Sequence, residues 1–196
     1  MMGVMDDVQT EPPGTHPGEP DGFERLWTPH RMVYLAGEDK PVDDAAGPRC
    51  PFCRVQPEGQ GADDDERLLV VARGRECFAV LNLYPYNPGH LMVCPYRHVA
   101  SYPDLTGAET AELASMTQTA MRVTTAVSAP HGFNLGMNQG AVAGTGIAAH
   151  LHQHLVPRWG GDANFLPIIG RTKVLPQLLG DTRQRLAEAW PSPPSG

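Results

Sequence analysis

"HLHQHLVPRW", residues 150–159, puts three of the chain's eight histidines at every second position, just ahead of Leu155, Val156 and Pro157. A period of two belongs to a β-strand, whose side chains at i, i+2 and i+4 share a face. On that reading His150, His152 and His154 form a row of imidazoles, while Leu151, Gln153 and Leu155 face the other way. A helix would pair His150 with His154 and leave His152 apart. The β-branched Val156, followed by Pro157, favours the strand. The preceding "NQGAVAGTG", residues 138–146, is glycine-rich and can bring a backbone close to a ligand.

Three imidazoles in a row permit two kinds of chemistry. One imidazole can attack phosphorus and form a covalent nucleotidyl intermediate, dividing one hard displacement into two. A second, titrating near neutrality, can protonate the leaving group. A third partner must then decide which ring nitrogen of the nucleophile carries the proton. Alternating histidines on a strand also serve as metal ligands, or as an inert strand edge, and the spacing alone leaves these readings open.

Outward from this stretch, "LLVVARG" (68–74) and "CFAVLNLYP" (77–85) read as strands joined at Gly74 and Arg75. "HLMVCPYRHV" (90–99) reads as a third strand and "FNLGMNQG" (133–140) as a fourth, with residues 150–159 the fifth. Residues 104–132 carry the clearest helix. Thr106 and Glu109 have the spacing of a capping box, and Leu113, Met116, Ala120, Val123 and Val127 fall on one face. Pro130 and Gly132 close it. Residues 173–190 also read as helical, with Leu178, Leu179, Thr182, Leu186 and Trp190 on one side. Strands outnumber helices and come in hairpins. The expected class is therefore α+β: an antiparallel sheet of about five strands, with a long helix packed on it and a C-terminal helix.

The 196 residues, 41% hydrophobic and 19% charged, suit one soluble domain, expected over 21–190. Residues 1–20 and 191–196 read as loose tails, and the acidic "PEGQGADDDE" (57–66) as a mobile loop. "FERLWTPHRMVYL" (23–35) is apolar enough to pack on the core or on another subunit. The net charge of −7, without any Lys/Arg-rich run, excludes a broad nucleic-acid groove but not a small anionic ligand. No apolar run is long enough to cross a bilayer, and the N-terminus lacks the basic start and apolar stretch of a secretion signal. A cytoplasmic protein with reduced thiols is expected. Cys50 and Cys53 form a C-x-x-C, which by itself fits a zinc knuckle, a redox pair or chance; no βαβ pattern of the thioredoxin type surrounds it. Cys77 and Cys94 lie in apolar strand-like runs and read as small core residues.

The pattern His-x-His-x-His followed by two apolar residues resembles the motif of the histidine triad family. "NLYPYNPGHLMVCPYRH", Asn82 to His98, resembles that family's Asn/Asp-x-x-Pro…Gly-His…Pro-x-x-His strand pair. "GFNLGMNQG" resembles its Asn-x-Gly strand. These elements occur in the family's order between about Cys50 and Trp159. The flanking "RLWTPHRMVYL" and "PRWGGDANF" further resemble the actinobacterial branch that phosphorolyses diadenosine tetraphosphate.

The resemblance implies roles. His152 is the nucleophile, His154 assists the leaving group at the phosphate, and His90 completes the catalytic set from the neighbouring strand. Asn82 stands where the family binds ribose, although it could also cap a turn before Pro85. Asn138 stands where the family holds phosphate, and it too could be turn chemistry. The Ala143–Gly146 loop, with Thr145 and Gly146, would offer backbone amides and a hydroxyl to phosphate. Trp159 is either a stacking wall for substrate or a packed aromatic. Cys50, Cys53, His98 and His150 match the ligand set of the family's zinc-bearing members, and four protein ligands make such a zinc structural.

The implied activity is transfer of an adenylyl group from diadenosine tetraphosphate to inorganic phosphate, giving ATP and ADP, in a homodimer or homotetramer. The alternatives are a hydrolase of dinucleoside polyphosphates or phosphoramidates, and a non-catalytic nucleotide- or zinc-binding module. His154 stands where hexose-phosphate uridylyltransferases of the superfamily carry Gln, which argues against that activity.

Overall fold

A computed structural model of the chain describes residues 49–57, 61–144, 146–162 and 178–192. The tail expected over residues 1–20, the apolar segment Phe23–Leu35, residues 193–196 and Thr145 lie outside the described residues. Five strands make one antiparallel sheet: β1 (Val70–Arg73), β2 (Cys77–Leu81), β3 (Leu91–Pro95), β4 (Gly132–Gly136) and β5 (Gln153–Arg158). Their spatial order is β1-β2-β3-β5-β4, so the histidine-bearing strand inserts between β3 and β4. Among the described residues three α-helices accompany them: α1 (Ala62–Arg67), α2 (Gly107–Ser128) and α3 (Leu179–Glu188).

The long helix α2 starts as its residues dictate. The Thr106 side chain accepts from the Glu109 backbone N–H, and the Glu109 carboxylate accepts in return from the Thr106 N–H at 2.7 Å. It ends at Ala129, which takes left-handed backbone angles (φ 44°) just before Pro130. Leu113, Met116, Ala120 and Val123 are buried as the periodicity requires.

The sheet has two covered faces. Leu81, Leu91 and Leu155 pack against Ala120 and Val123 of α2 and Leu186 of α3, and Ala79 and Val93 pack against Leu113 and Met116. On the reverse face Val80, Met92 and Cys94 are covered by Cys50, Phe52 and Val55. The C-x-x-C segment is thus a lid on the face opposite the helices. Gln153 sets the register of β5 against the helix layer, since its amide donates to Thr117 Oγ1 at 2.9 Å.

Two expectations are corrected. The acidic segment is not wholly loop: Ala62–Arg67 is helical, with Asp63, Asp64 and Asp65 in its first turn. Carboxylates there favour the positive end of the helix dipole, and Asp65 is further held by Arg73. Leu178 does not join the buried face of the C-terminal helix. It precedes α3 with extended backbone angles and is 73% exposed, whereas Thr182 and Leu186 are buried.

Candidate active site

Only His154 of the alternating histidines lies inside β5, opposite Met92 of β3 and Gly136 of β4. His150, Leu151 and His152 precede the strand, so the three imidazoles do not form one ladder-paired row. The reason is local. The Leu151 N–H bonds to the Val99 carbonyl at 2.6 Å, and the His152 ring turns back onto its own segment. The alternation of faces survives: His154 looks away from the helices, while Leu155 is buried beneath them.

A chain of hydrogen bonds assigns the protons of this cluster. His90 Nδ1 accepts from the Tyr86 backbone N–H at 3.1 Å. The Asn82 side-chain amide also lies 3.3 Å from that nitrogen. Because Asn82 Oδ1 accepts from the Tyr84 N–H at 3.0 Å, its Nδ2 is the end that donates to His90. With Nδ1 accepting, neutral His90 carries its proton on Nε2, which lies 2.9 Å from His154 Nδ1. His154 Nδ1 is then an acceptor, and neutral His154 carries its proton on Nε2. His152 is set the opposite way. Its Nδ1 lies 2.9 Å from the His150 carbonyl oxygen, an obligate acceptor, so Nδ1 is protonated and the lone pair sits on Nε2. The His152 and His154 rings are 4.9 Å apart, nearly perpendicular. The arrangement places a nucleophilic ring nitrogen beside a hydrogen-bond donor.

His154 opens onto a cavity of about 430 Å³, lined also by Tyr86, Asn134, Asn138 and Arg158. The lining mixes Leu135 and Val156 with the hydrogen-bonding groups of Asn134, Asn138 and His154, which suit a phosphorylated ligand. Arg158 is paired with Asp162 at 2.7 Å, and its guanidinium holds that carboxyl well below the usual carboxylate range. Asp162 also accepts from Asn87 Nδ2 at 2.7 Å and from the Trp159 N–H at 3.1 Å.

His150 has a different task. It is fully buried, and burial pushes its pKa down to about 4, keeping the ring neutral. Its Nε2 donates to the Pro95 carbonyl at 2.9 Å, which leaves the Nδ1 lone pair aimed at two sulfurs. Cys50 Sγ is 3.4 Å and Cys53 Sγ 3.5 Å from that nitrogen, and Cys53 Sγ is 3.2 Å from His98 Nδ1. All four ligand atoms lie within 4.8 Å of one another. A tetrahedral ion with the metal–sulfur and metal–nitrogen lengths of zinc would separate S from N by about 3.5 Å. The donor set therefore fits a metal ion. The Pro95 carbonyl plays the outer-shell part that orients a ligating histidine.

Other expected residues lie apart from these clusters or next to them. Asn82 caps the β2–β3 connection and braces His90. Asn138 lines the cavity just beyond β4. Gly146 lies in a bend between Gly144 (φ 75°) and the histidines. The Trp159 indole donates to the Ser128 carbonyl at the end of α2 at 3.3 Å, and the residue is absent from the cavity lining. Sequence reasoning passed over Phe52, whose ring lies 5.3 Å from His150 and 5.1 Å from His152. It also passed over Tyr86 and Asp162. The only local signals were an aromatic between two cysteines and a tyrosine four residues before His90.

Comparison with known proteins decides the family. Residues 66–161 match the HIT domain, and the chain is 55% identical over 181 residues to an AP-4-A phosphorylase of Mycobacterium tuberculosis, covering 90% of this chain and 89% of the relative. The chain belongs to the HIT domain family. Among solved structures, a zinc-bound histidine triad family protein from Mycobacterium smegmatis shares the fold at a TM-score of 0.56 and 23% identity, over 72% of this chain and 92% of that one. A hypothetical histidine triad nucleotide-binding protein from Sulfolobus tokodaii aligns at a TM-score of 0.55 and 25% identity, over 71% and 91%. The HIT motif of this chain is thus one motif with its members in separate surroundings. His150 belongs to the sulfur cluster, His152 to the backbone of its own turn, and His154 to the cavity.

Proposed function

We propose that this HIT enzyme phosphorolyses diadenosine tetraphosphate. The geometric observation that carries the reading is the opposed protonation of His152 and His154, and the 55% identical AP-4-A phosphorylase supports the substrate. His152 Nε2 attacks the α-phosphorus. The bond to the bridging oxygen breaks, and ATP leaves as an anion that accepts a hydrogen bond from His154 Nε2–H. Inorganic phosphate then attacks the adenylyl group on His152, the P–N bond breaks, and ADP departs. His90 holds His154 Nδ1 as an acceptor throughout. Asn138, with Thr145 and Gly146, binds phosphate oxygens, and Asn82 contacts ribose.

Cys50, Cys53, His98 and His150 hold a zinc ion in this reading. With four protein ligands the ion supplies no open position for water and acts as a structural clamp. Reduced thiols and a nucleotide substrate agree with a cytoplasmic location. Among the described residues no helix is long and apolar enough to cross a membrane. The outer edge of β4, where Leu135 is 54% exposed, ends the sheet and suits a homodimer or homotetramer, which light scattering would reveal.

The test is product analysis with and without inorganic phosphate. ADP plus ATP formed only with phosphate is the expected result. AMP plus ATP formed without phosphate would instead make the protein a hydrolase.

A further inference from the structure

Tyr86 meets the catalytic pair in three ways. Its backbone N–H donates to His90 Nδ1 at 3.1 Å. Its ring centroid lies 4.8 Å from that of His90, tilted by 35°. The same ring lies 5.9 Å from that of His154 and within 26° of parallel. The residue is 45% exposed and forms part of the cavity wall. One phenol ring therefore covers both imidazoles on the side of the site that water would reach.

From this juxtaposition we infer that Tyr86 is a positioning residue. It keeps the His90 and His154 rings in hydrogen-bonded alignment, so that the proton of His154 stays on Nε2 when the leaving group departs. A hydrogen bond between two imidazoles tolerates little rotation about either ring axis. His90 is fully buried and cannot swing away. His154 is half-buried on β5 between Met92 and Gly136, and on the Gly136 side the backbone adds no side-chain restraint. The ring of Tyr86 supplies that restraint, and an apolar ring face excludes water that would compete for His154 Nδ1. The work is done by the ring and not by the hydroxyl.

The inference rests on the phosphorylase reading for its kinetic arm and on the geometry alone for its spectroscopic arm. Tyr86→Ala and Tyr86→Phe would be compared with the unaltered protein, using diadenosine tetraphosphate and inorganic phosphate. Melting temperature and metal content would be measured alongside. Tyr86→Ala is expected to lower kcat on the order of ten- to a hundredfold, with a much smaller change in KM. Tyr86→Phe is expected to restore kcat. In proton NMR of the substrate-free protein, the His90 Nε2–H resonance should broaden or vanish in Tyr86→Ala and persist in Tyr86→Phe. If Tyr86→Ala raised KM with kcat intact, the ring would be a substrate-stacking platform and the positioning role would be wrong. An unchanged Nε2–H resonance in Tyr86→Ala would also overturn it. If the unaltered protein formed no product, the phosphorylase reading would fail, while the NMR comparison would still decide the role of Tyr86.

Discussion

His152 holds its lone pair on Nε2 because a carbonyl oxygen two residues earlier can accept only from Nδ1–H. That contact needs no charged partner. His154 receives the complementary state through two further side chains, His90 and Asn82. The two roles are therefore not interchangeable although the residues are alike. His152→Ala is expected to abolish product formation completely. It should leave circular dichroism and metal content unchanged, because the four candidate ligand atoms belong to Cys50, Cys53, His98 and His150. Residual turnover at the level of the unaltered protein would rule out a covalent intermediate on this histidine.

Among the elements, the start of α2 and the end of β5 do more than complete the fold. Arg97, which immediately precedes His98, bonds the Glu109 carboxylate at 2.8 and 2.7 Å, and so ties the end of β3 to the capping box of α2. Together with the Thr106 N–H, this guanidinium lowers the Glu109 pKa from 4.5 to about 2. A carboxyl with a depressed folded-state pKa stabilises the fold fully above its unfolded pKa. That contribution is lost as pH falls from about 4.5 towards 2. Because Arg97 is about half exposed, solvent screening limits the effect to on the order of 2 kcal/mol. Arg97→Met should therefore lower the melting temperature at pH 7 and flatten its decline between pH 5 and pH 3, as calorimetry across that range would record.

At the other end, Asp162 draws together Arg158, Asn87 and the Trp159 N–H, and Asn87 also donates to the Pro157 carbonyl at 3.0 Å. This latch fastens the loop that carries His90 to the strand that carries His154. Asp162→Ala is expected to lower kcat on the order of tenfold by loosening that registration. Steady-state kinetics that matched the unaltered enzyme would show the latch to be dispensable.

At the scale of the molecule, one sheet separates two kinds of support. Helices α2 and α3 bury one face, and the C-x-x-C segment covers the other. The second cover contributes few apolar residues, so a metal ion bound by Cys50, Cys53, His98 and His150 would supply much of its hold. Such a clamp would also grip His150, the residue whose carbonyl orients His152. Removing zinc with a chelator, or substituting Cys53→Ser, should lower the melting temperature and reduce turnover together, with about one zinc per chain lost by elemental analysis. If turnover survived in full after complete metal loss, the carbonyl of His150 would be held by the fold alone.

Local periodicity and short-range chemistry were legible in the chain. The period-two alternation, the Thr106–Glu109 box and the apolar stripe of Leu113, Met116, Ala120 and Val123 each act within a few residues, where backbone geometry leaves little choice. They sufficed for the α+β class, the five strands and the order of the motif. What required the folded chain was every contact made across sequence distance. Cys50 meets His150 across 100 residues and His90 meets His154 across 64, by a register that β3 and β5 set between them. The different surroundings of three similar histidines follow from which carbonyl, sulfur or ring each one meets. Those neighbours arrive through sheet order and helix packing, which no spacing along the chain encodes. The same holds for the placement of Trp159 against Ser128, of Tyr86 over two imidazoles, and of Asp162 at the latch. Each is decided by which segments the core brings side by side once apolar burial has closed both faces of the sheet.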